Sequence, residues 1–83
     1  MEHYVIIARS VTYAQRMQRA LQRAGIRCQI YRAPRELTEL GCAYAVEIAA
    51  ATLTDALQIL YREQLAPVQI YLSQRGYYRE VRP

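Results

Sequence analysis

The sequence predicts an α+β fold of the ferredoxin-like type, a βαββαβ sandwich in which an antiparallel four-stranded sheet has two helices on one face. Short segments of alternating apolar residues are typical of strands, and two longer segments with apolar residues three and four positions apart are typical of amphipathic helices. These segments follow one another in the order strand, helix, strand, strand, helix, strand. The 83 residues are enough for one hydrophobic core, so we expect a single domain over residues 1–83.

The first strand is predicted from the alternation at residues 4–8, and the first helix from the apolar spacing that follows. Ser10 has a side-chain oxygen suited to cap the N-terminus of this helix. Gly25 is expected to end the helix in a left-handed conformation. The helix then has one apolar face, formed by Ala14, Met17, Leu21 and Ala24.

Two further strands are predicted on either side of a loop in the middle of the chain. Residues 28–31 are short and alternating, and this strand should stop before Pro34, which has no N–H to donate. The loop runs from Pro34 to Gly41, and its proline is suited to start a single helical turn that carries Leu37 and Leu40. Residues 44–48 alternate again and form the predicted third strand.

The second helix is predicted to begin at Thr52, because Asp55 three residues later gives a start similar to a capping box. Pro67 is expected to terminate it, and residues 68–72 supply the fourth strand. Residues 75–83 are interpreted as a tail or as a short strand added at the sheet edge. The apolar face of this helix is formed by Leu53, Leu57, Leu60 and Tyr61.

Alternation along the four strands assigns each side chain to one face of the sheet. The opposite face from the helices is predicted to include Ile6 and three tyrosines, Tyr4, Tyr31 and Tyr71, and no segment is expected to cover it. An uncovered face of this composition indicates a partner surface or a homodimer contact. The alternative is that the tyrosines are good strand formers whose hydroxyls lie in water. The face under the helices is predicted to consist of Val5, Ile7, Cys28, Ile30, Tyr44, Val46, Ile48, Val68, Ile70 and Leu72.

Composition excludes several classes of protein. No apolar run approaches the roughly 20 residues that span a bilayer, and the N-terminus lacks the order of a signal peptide, so we expect a cytoplasmic protein without membrane contact. Two cysteines and one histidine give neither a disulfide framework nor zinc-ligand spacing, so no metal or cofactor is expected.

The net charge of +4 comes from arginine, because the chain contains no lysine. Arg16, Arg19 and Arg23 recur at helical spacing, either as a solvated helix face or as a phosphate-binding stripe.

Several segments of the chain carry a resemblance to a known family. The first strand ends near Ser10, and the first helix closes at Ala24-Gly25-Ile26. Pro34-Arg35-Glu36-Leu37-Thr38 is then followed by Gly41-Cys42, and this combination is the most specific part. On these residues the chain is similar to the small bacterial domains described as Se/S (selenium/sulfur) carrier protein-like, long regarded as domains of unknown function.

The resemblance implies that Cys42 holds sulfur or selenium as a persulfide or selenopersulfide and passes it between donor and acceptor proteins. Pro34, Arg35 and Gly41 are then the supporting residues. By their nearness in sequence, Arg32 and Arg35 are the candidate charges that favour the Cys42 thiolate, with Arg35 as the electrostatic helper. Glu36 and Glu39 act in the opposite direction, so the sequence leaves the net effect open. The family pattern usually has glycine after the cysteine, where this chain has Ala43. Alanine restricts positive φ, so this departure changes how the thiol can be presented.

The chemistry of a carrier agrees with the residues that the sequence offers. A carrier needs an accessible sulfur and no general base, and the sequence has a single histidine, His3, and no Ser/His/Asp or Cys/His constellation. We therefore expect a carrier or binding protein rather than an independent enzyme. Cys42 has a second interpretation as a small structural residue. Cys28 is interpreted as a core residue, with a resolving-cysteine role as the alternative.

Two other classes of function are alternatives. One is a non-catalytic regulatory module that binds a protein or a small ligand through the tyrosine-bearing face, since ferredoxin-like domains have many such roles. The other is RNA binding, because RNA-recognition domains share this element order and the segment 41–46, with Tyr4, resembles their base-stacking strands. The comparison fails in detail, since Leu40 replaces a basic residue and Cys42 and Glu47 replace aromatic ones, so nucleic-acid binding is not expected.

Overall fold

The computed structural model describes residues 2–37 and 43–82, which form two helices and one antiparallel sheet. The α+β prediction is therefore confirmed. None of the helices in this part of the chain is long and apolar enough to cross a membrane. The strands are β1 (His3–Ala8), β2 (Cys28–Arg32), β3 (Tyr44–Ala49), β4 (Gln69–Gln74) and β5 (Tyr77–Glu80), and the helices are α1 (Val11–Arg23) and α2 (Leu53–Arg62). The order of strands across the sheet is β2-β3-β1-β4-β5.

The prediction of a four-stranded sheet is wrong, because β5 pairs antiparallel with β4 at the sheet edge. Gln74 lies opposite Tyr77, and the two residues between them are Arg75 and Gly76. Both have positive φ, +51° and +83°. Two left-handed residues in succession form the tight hairpin turn whose twist matches that of the strands. Arginine is uncommon at the first position of such a turn, so the sequence alone does not decide between a tail and a strand.

The ends of α1 follow the predicted caps. The Tyr13 N–H donates to the Ser10 side-chain oxygen at 3.2 Å, which caps the N-terminus. Gly25 takes φ +80°, and the Ile26 N–H reaches back to the Leu21 carbonyl at 2.9 Å. This is the Schellman arrangement that a C-terminal glycine favours. Both predictions for this helix are confirmed.

The ends of α2 differ from the prediction. The Thr52 hydroxyl donates to the Ala49 carbonyl at 2.8 Å and makes no cap bond, and a short 3-10 turn precedes the helix. At the other end Gln64 takes φ +60°, and the Leu65 N–H donates into the last helical turn at 2.8 Å. This main-chain cap ends the helix before the chain reaches Pro67, so the proline is not the terminator.

Both helices pack on one face of the sheet, which we call the helix face. The antiparallel register puts Ile6 opposite Val46 on one side and Ile70 on the other, so these side chains share that face. The helices close over them and form the larger of two cores. Its buried members are Ile6, Ala8, Ala14, Met17, Ala20, Leu21, Ile26, Val46, Ile48, Ala56, Leu60 and Leu65.

Strand β1 has the opposite phase from the one predicted. Tyr4 and Ile6 face the helices, whereas Val5 and Ile7 face the other side. The centre of β1 is buried on both faces, and an uninterrupted apolar run contains no alternation from which its phase can be read. Val68 was also expected under the helices, but it precedes β4 and is 55% exposed.

The other side of the sheet, which we call the second face, has a small core of its own. Leu37, from a 3-10 turn after β2, packs on Val5, Ile7 and Ala45. Half-buried side chains of Tyr31, Tyr71, Tyr78 and Ala43 pack around this cluster. The prediction of an uncovered face is therefore wrong. Among the described residues its cover comes from a three-residue turn and not from a helix, so no periodic pattern reveals it.

Candidate functional site

The predicted carrier cysteine belongs to residues 38–42, which we call the cysteine segment. Gly41 and Cys42 are part of it and lie outside the described residues. Pro34 and Arg35 precede the segment, Ala43 follows it, and all three are described. The surroundings of the predicted site can therefore be built from these two flanks and from the second face of the sheet.

The flank before the cysteine segment is anchored by Leu37. The turn Arg35–Leu37 is closed by a hydrogen bond from the Leu37 N–H to the Pro34 carbonyl at 3.0 Å, and Pro34 has the restricted φ that suits such a start. The Leu37 side chain is only 4% exposed and lies in the core of the second face. The Tyr71 hydroxyl lies 3.4 Å from the Leu37 carbonyl. Burial of a leucine contributes about 2 kcal/mol, which holds the turn against the sheet.

The flank after the cysteine segment is anchored by main-chain pairing. Arg32 and Tyr44 are the last register pair between β2 and β3. One more hydrogen bond, from the Ala33 N–H to the Ala43 carbonyl at 3.0 Å, extends this pairing to the residue that follows Cys42. The cysteine segment therefore joins two fixed points of the fold.

A tyrosine and a glutamate form a polar pair on the second face. The Tyr31 hydroxyl donates to a Glu47 carboxylate oxygen at 2.8 Å. Burial, the hydrogen bond to Glu47 and the charge of Glu47 all raise the pKa of Tyr31 above its usual range, so the phenol stays protonated and acts as a donor. The Tyr71 hydroxyl lies 3.1 Å from the Gln69 side-chain oxygen. Tyr31 and Tyr71 thus share the face predicted for them, whereas Tyr4 does not.

Sequence patterns do not identify Leu37 and Tyr78 as parts of these surroundings. Leu37 does carry one signal, which is that it is an apolar residue in a short loop turn. Such a turn has no amphipathic face, so its leucine must pack on another element to be buried. Tyr78 carries no such signal, since its position depends on the hairpin between β4 and β5.

The charged residues of the first flank are exposed. Arg35 and Glu36 lie side by side in the turn, so opposite charges adjoin the cysteine segment. The effect of Arg35 on the Cys42 thiol stays a prediction, because the thiol lies outside the described residues. Among the described residues, no group of three or more His, Cys, Asp or Glu side chains is arranged to hold a metal ion.

Cys28 is a free thiol at the start of β2. It is half-buried against the core of the helix face, and its sulfur lies 3.9 Å from the Gln18 carbonyl. Burial raises the pKa of this thiol, which lowers the fraction of reactive thiolate. Cys28 also lines an open groove of about 530 Å³ together with His3, Arg27 and Glu47. Cys28 therefore lies on the helix face as predicted, but at the edge of the core and not within it, with the groove on its other side.

Comparison with known proteins gives one family. The model of the family described as "Putative Se/S carrier protein-like" matches residues 3–72. The matched region begins in β1, includes the cysteine segment and ends in β4. No curated protein and no solved structure matches the chain.

Proposed function

The chain belongs to the Se/S carrier protein-like family, and from this premise we propose that it holds sulfur or selenium on Cys42 and passes it to another protein. The cargo is bound as a persulfide or a selenopersulfide. The donor is a protein that carries the sulfur or selenium atom, and the acceptor is a protein with a reactive thiol. The observation that carries the proposal is the family match, which includes the cysteine segment.

The proposed transfer consists of two thiol exchanges. The Cys42 thiolate attacks the outer sulfur of a donor persulfide, a new S–S bond forms as the donor's S–S bond breaks, and the donor leaves as a thiolate. An acceptor thiolate then attacks the outer sulfur on Cys42, which returns to its thiolate form. Protons exchange with water, and no oxidant or reductant is consumed.

The properties of the second cysteine support the choice of Cys42. Exchange requires a thiolate, and the pKa of Cys28 is raised by burial. The Cys28 sulfur also faces the main chain of α1, next to the Gln18 carbonyl. A thiol in such surroundings reacts slowly with a protein partner, so we assign the carrier role to Cys42 alone.

Three further residues complete the proposed site. Arg35 is exposed in the turn before the cysteine segment, and a guanidinium near a thiol favours the thiolate. Pro34 accepts the hydrogen bond that closes this turn and so supports the Leu37 anchor. Gly41 is proposed as the conformationally permissive approach to Cys42.

The test is to load the reduced protein with a cysteine desulfurase and cysteine, and to locate the added mass by peptide mass spectrometry without reduction. We expect one added sulfur atom on the Cys42 peptide of the wild-type protein and of the matched control Cys28→Ser. Cys42→Ser should carry none. Added sulfur on Cys28, or on neither cysteine of the wild-type protein, would contradict the proposal.

The two alternative functions have less support. The RNA interpretation needs the Tyr4 ring on the exposed face of the sheet, but Tyr4 packs against the core of the helix face. Glu47 adds negative charge to the second face, which disfavours phosphate groups. The ligand-binding module was predicted on an uncovered second face, and Leu37 packs on the buried residues of that face. A homodimer contact through the half-buried tyrosines of this face stays a prediction.

The fold type and the compartment are also part of the proposal. The order of β1 to β4 in the sheet supports a ferredoxin-like unit to which β5 is added. A function that depends on free thiols suits a reducing compartment. We therefore propose that the protein works in the cytoplasm.

A further inference from the structure

The arginines of the chain are concentrated in one stretch of its sequence. Residues 3–35 contain no aspartate or glutamate, and seven of the eleven arginines lie there. The structure brings four of these seven to one end of the sheet, which we call the basic end. Its residues are Arg9, Arg16, Arg32 and Arg35, and all four are exposed.

The strand register determines where Arg9 and Arg32 lie. Ala8 pairs with Tyr44, and Tyr44 pairs with Arg32. Arg32 is therefore two strand spacings, about 10 Å, from Ala8, and Arg9 is the next residue of the chain. Ala43, the residue after the cysteine segment, lies one position beyond this row. The basic end is thus the end of the sheet at which the cysteine segment joins β3.

Arg9 and Arg16 are held together by one aromatic ring. Their guanidinium carbons lie 4.7 and 5.9 Å from the centre of the Tyr13 ring, within the range of cation–π contacts. The first turn of α1 contains no acidic residue that would offset these charges. Cations near the positive end of a helix dipole reduce stability. Arg9, which precedes the first turn, is therefore not explained by helix stability.

The charges of the basic end are not balanced within the described part of the chain. The salt bridge found among the described residues joins Arg23 to Glu63 at 3.3 Å. It lies at the C-terminal end of α1, away from the basic end. Glu36, exposed next to Arg35, is the acidic side chain nearest in the described sequence. The basic end therefore has an excess of exposed guanidinium groups.

We propose that the basic end is the docking surface for an acidic patch on the protein that exchanges sulfur or selenium with this chain, an inference that rests on the proposed function. Complementary charge accelerates the encounter of two proteins and orients them. Guanidinium groups pair with carboxylates through two parallel hydrogen bonds, which adds geometric selectivity. Because the basic end lies next to Ala43, a partner bound there is close to the residue that follows Cys42.

An acidic protein suits this surface better than a single-stranded nucleic acid. Such nucleic acids are held by bases that stack on exposed aromatic rings. Tyr13 is half-buried, and guanidinium groups already lie over its ring. Tyr44 packs against the core of the helix face. The basic end therefore offers charge without an open stacking platform.

The test compares two charge-reversal variants that have the same net charge. Arg9→Glu with Arg32→Glu alters the basic end, and Arg27→Glu with Arg79→Glu alters exposed arginines elsewhere. Fluorescence anisotropy measures the binding of each folded protein to labelled poly-L-glutamate and to oligouridine at several salt concentrations. We expect the basic-end variant to lose about tenfold in affinity for poly-L-glutamate and the control variant less than about threefold. Equal losses of affinity in the two variants would show that binding depends only on net charge, and this would overturn the proposal.

Two further readouts separate the docking surface from the carrier function. Oligouridine that binds more tightly than poly-L-glutamate, and depends on Arg9 and Arg32, would assign the surface to nucleic acid and overturn the proposal. Desulfurase loading of Cys42 should slow in the basic-end variant and not in the control. Equal loading rates would also overturn it. A wild-type protein that is not loaded at all contradicts the carrier function alone, and the anisotropy result then still decides the docking surface.

Discussion

The helix face and the second face of the sheet are both buried, but by very different amounts of structure. Two helices of 13 and 10 residues cover the helix face, and their apolar side chains share its core. Among the described residues, Leu37 and Ala33 are the buried side chains from outside the strands that pack on the second face, within a rim of half-buried side chains. On the helix face, many neighbouring side chains share the effect of losing one contact. On the second face, the loss of the Leu37 contacts would leave the turn before the cysteine segment without its main anchor. We therefore expect changes on the helix face to affect the stability of the whole fold, and changes on the second face to affect mainly the flank of the cysteine segment.

The largest effect is expected on the helix face. Leu60 is fully buried there, and Leu60→Ala should lower the free energy of unfolding by about 3 to 4 kcal/mol through lost burial and the cavity left behind. The loss is global, so amide exchange should accelerate together in all central strands. Urea denaturation and hydrogen exchange measure both effects. A loss below about 1 kcal/mol would mean that the helices are not the main source of stability.

A smaller and more local effect is expected from Leu37→Ala, at about 2 kcal/mol. The amide to follow is that of Ala33, which donates to the Ala43 carbonyl across the ends of the cysteine segment. Its exchange should accelerate by more than the global loss of stability explains, because the anchor of the neighbouring turn is gone. Leu57→Ala, a buried leucine of α2, is the matched control. If both variants changed Ala33 exchange only in proportion to stability, the contrast between the two faces would fail.

The Tyr31–Glu47 pair gives the second face a pH dependence at alkaline pH, and Cys28, whose pKa burial raises, adds a contribution from the helix face that Tyr31→Phe leaves in place. An unfolded tyrosine loses its proton near pH 10, whereas the pKa of folded Tyr31 is raised above that value. Above about pH 10 the unfolded state binds fewer protons than the folded state, so the free energy of unfolding falls as pH rises. Below this pH the contribution is fully present. Tyr31→Phe should flatten the decline and cost about 1 kcal/mol at neutral pH.

Urea denaturation between pH 7 and pH 11 measures this dependence. Glu47→Gln removes the charge but keeps an acceptor for the Tyr31 hydroxyl. It should flatten the decline only in part, because burial is the largest cause of the raised pKa. An unchanged slope in Tyr31→Phe would show that the pair does not set the alkaline stability.

The smallest effect is a gain of stability on the helix side. Gln64 caps α2 with φ +60°, where Gly25 caps α1 with φ +80°. Gln64→Gly should therefore raise the free energy of unfolding by about 0.5 to 1 kcal/mol, and Gly25→Ala should lower it by about 1 kcal/mol. A Cβ atom at Gly25 would meet no neighbour within 4 Å, so only the backbone conformation is at stake. Thermal denaturation measures both changes. If the two substitutions changed the free energy of unfolding in the same direction, the role assigned to positive φ would be wrong.

Features that depend on neighbours in sequence could be predicted for α1, whereas the cap expected at Thr52 does not form, because its hydroxyl donates to the Ala49 carbonyl instead. Ser10 and Gly25 cap α1 as expected, because each cap involves only a few adjacent residues. Gln64 and Arg75 could not be anticipated, since glutamine and arginine are not favoured at positive φ. The phase of β1 is a third case, because its centre is apolar on both sides and only the register with β3 and β4 assigns the faces.

The candidate site divides in the same way. Cys42, with Pro34 and Arg35, is predicted from motif and family resemblance, which need no structure, and stays a prediction. The Leu37 anchor and the hydrogen bond between Ala33 and Ala43 join residues on different elements, and no sequence spacing indicates them. The basic end could be predicted only in part. The concentration of arginines in residues 3–35 is visible in the sequence, but their position at one end of the sheet is not.

The sequence by itself determined the α+β class, the order of the first six elements and the family, because these follow from local periodicity and from a motif of adjacent residues. Only the tertiary structure decided which face of β1 meets the helices, what covers the second face and which arginines meet beside the cysteine segment. Those features depend on strand register and on side chains that are distant in sequence. Burial and register act between elements, so a pattern within one element cannot specify them.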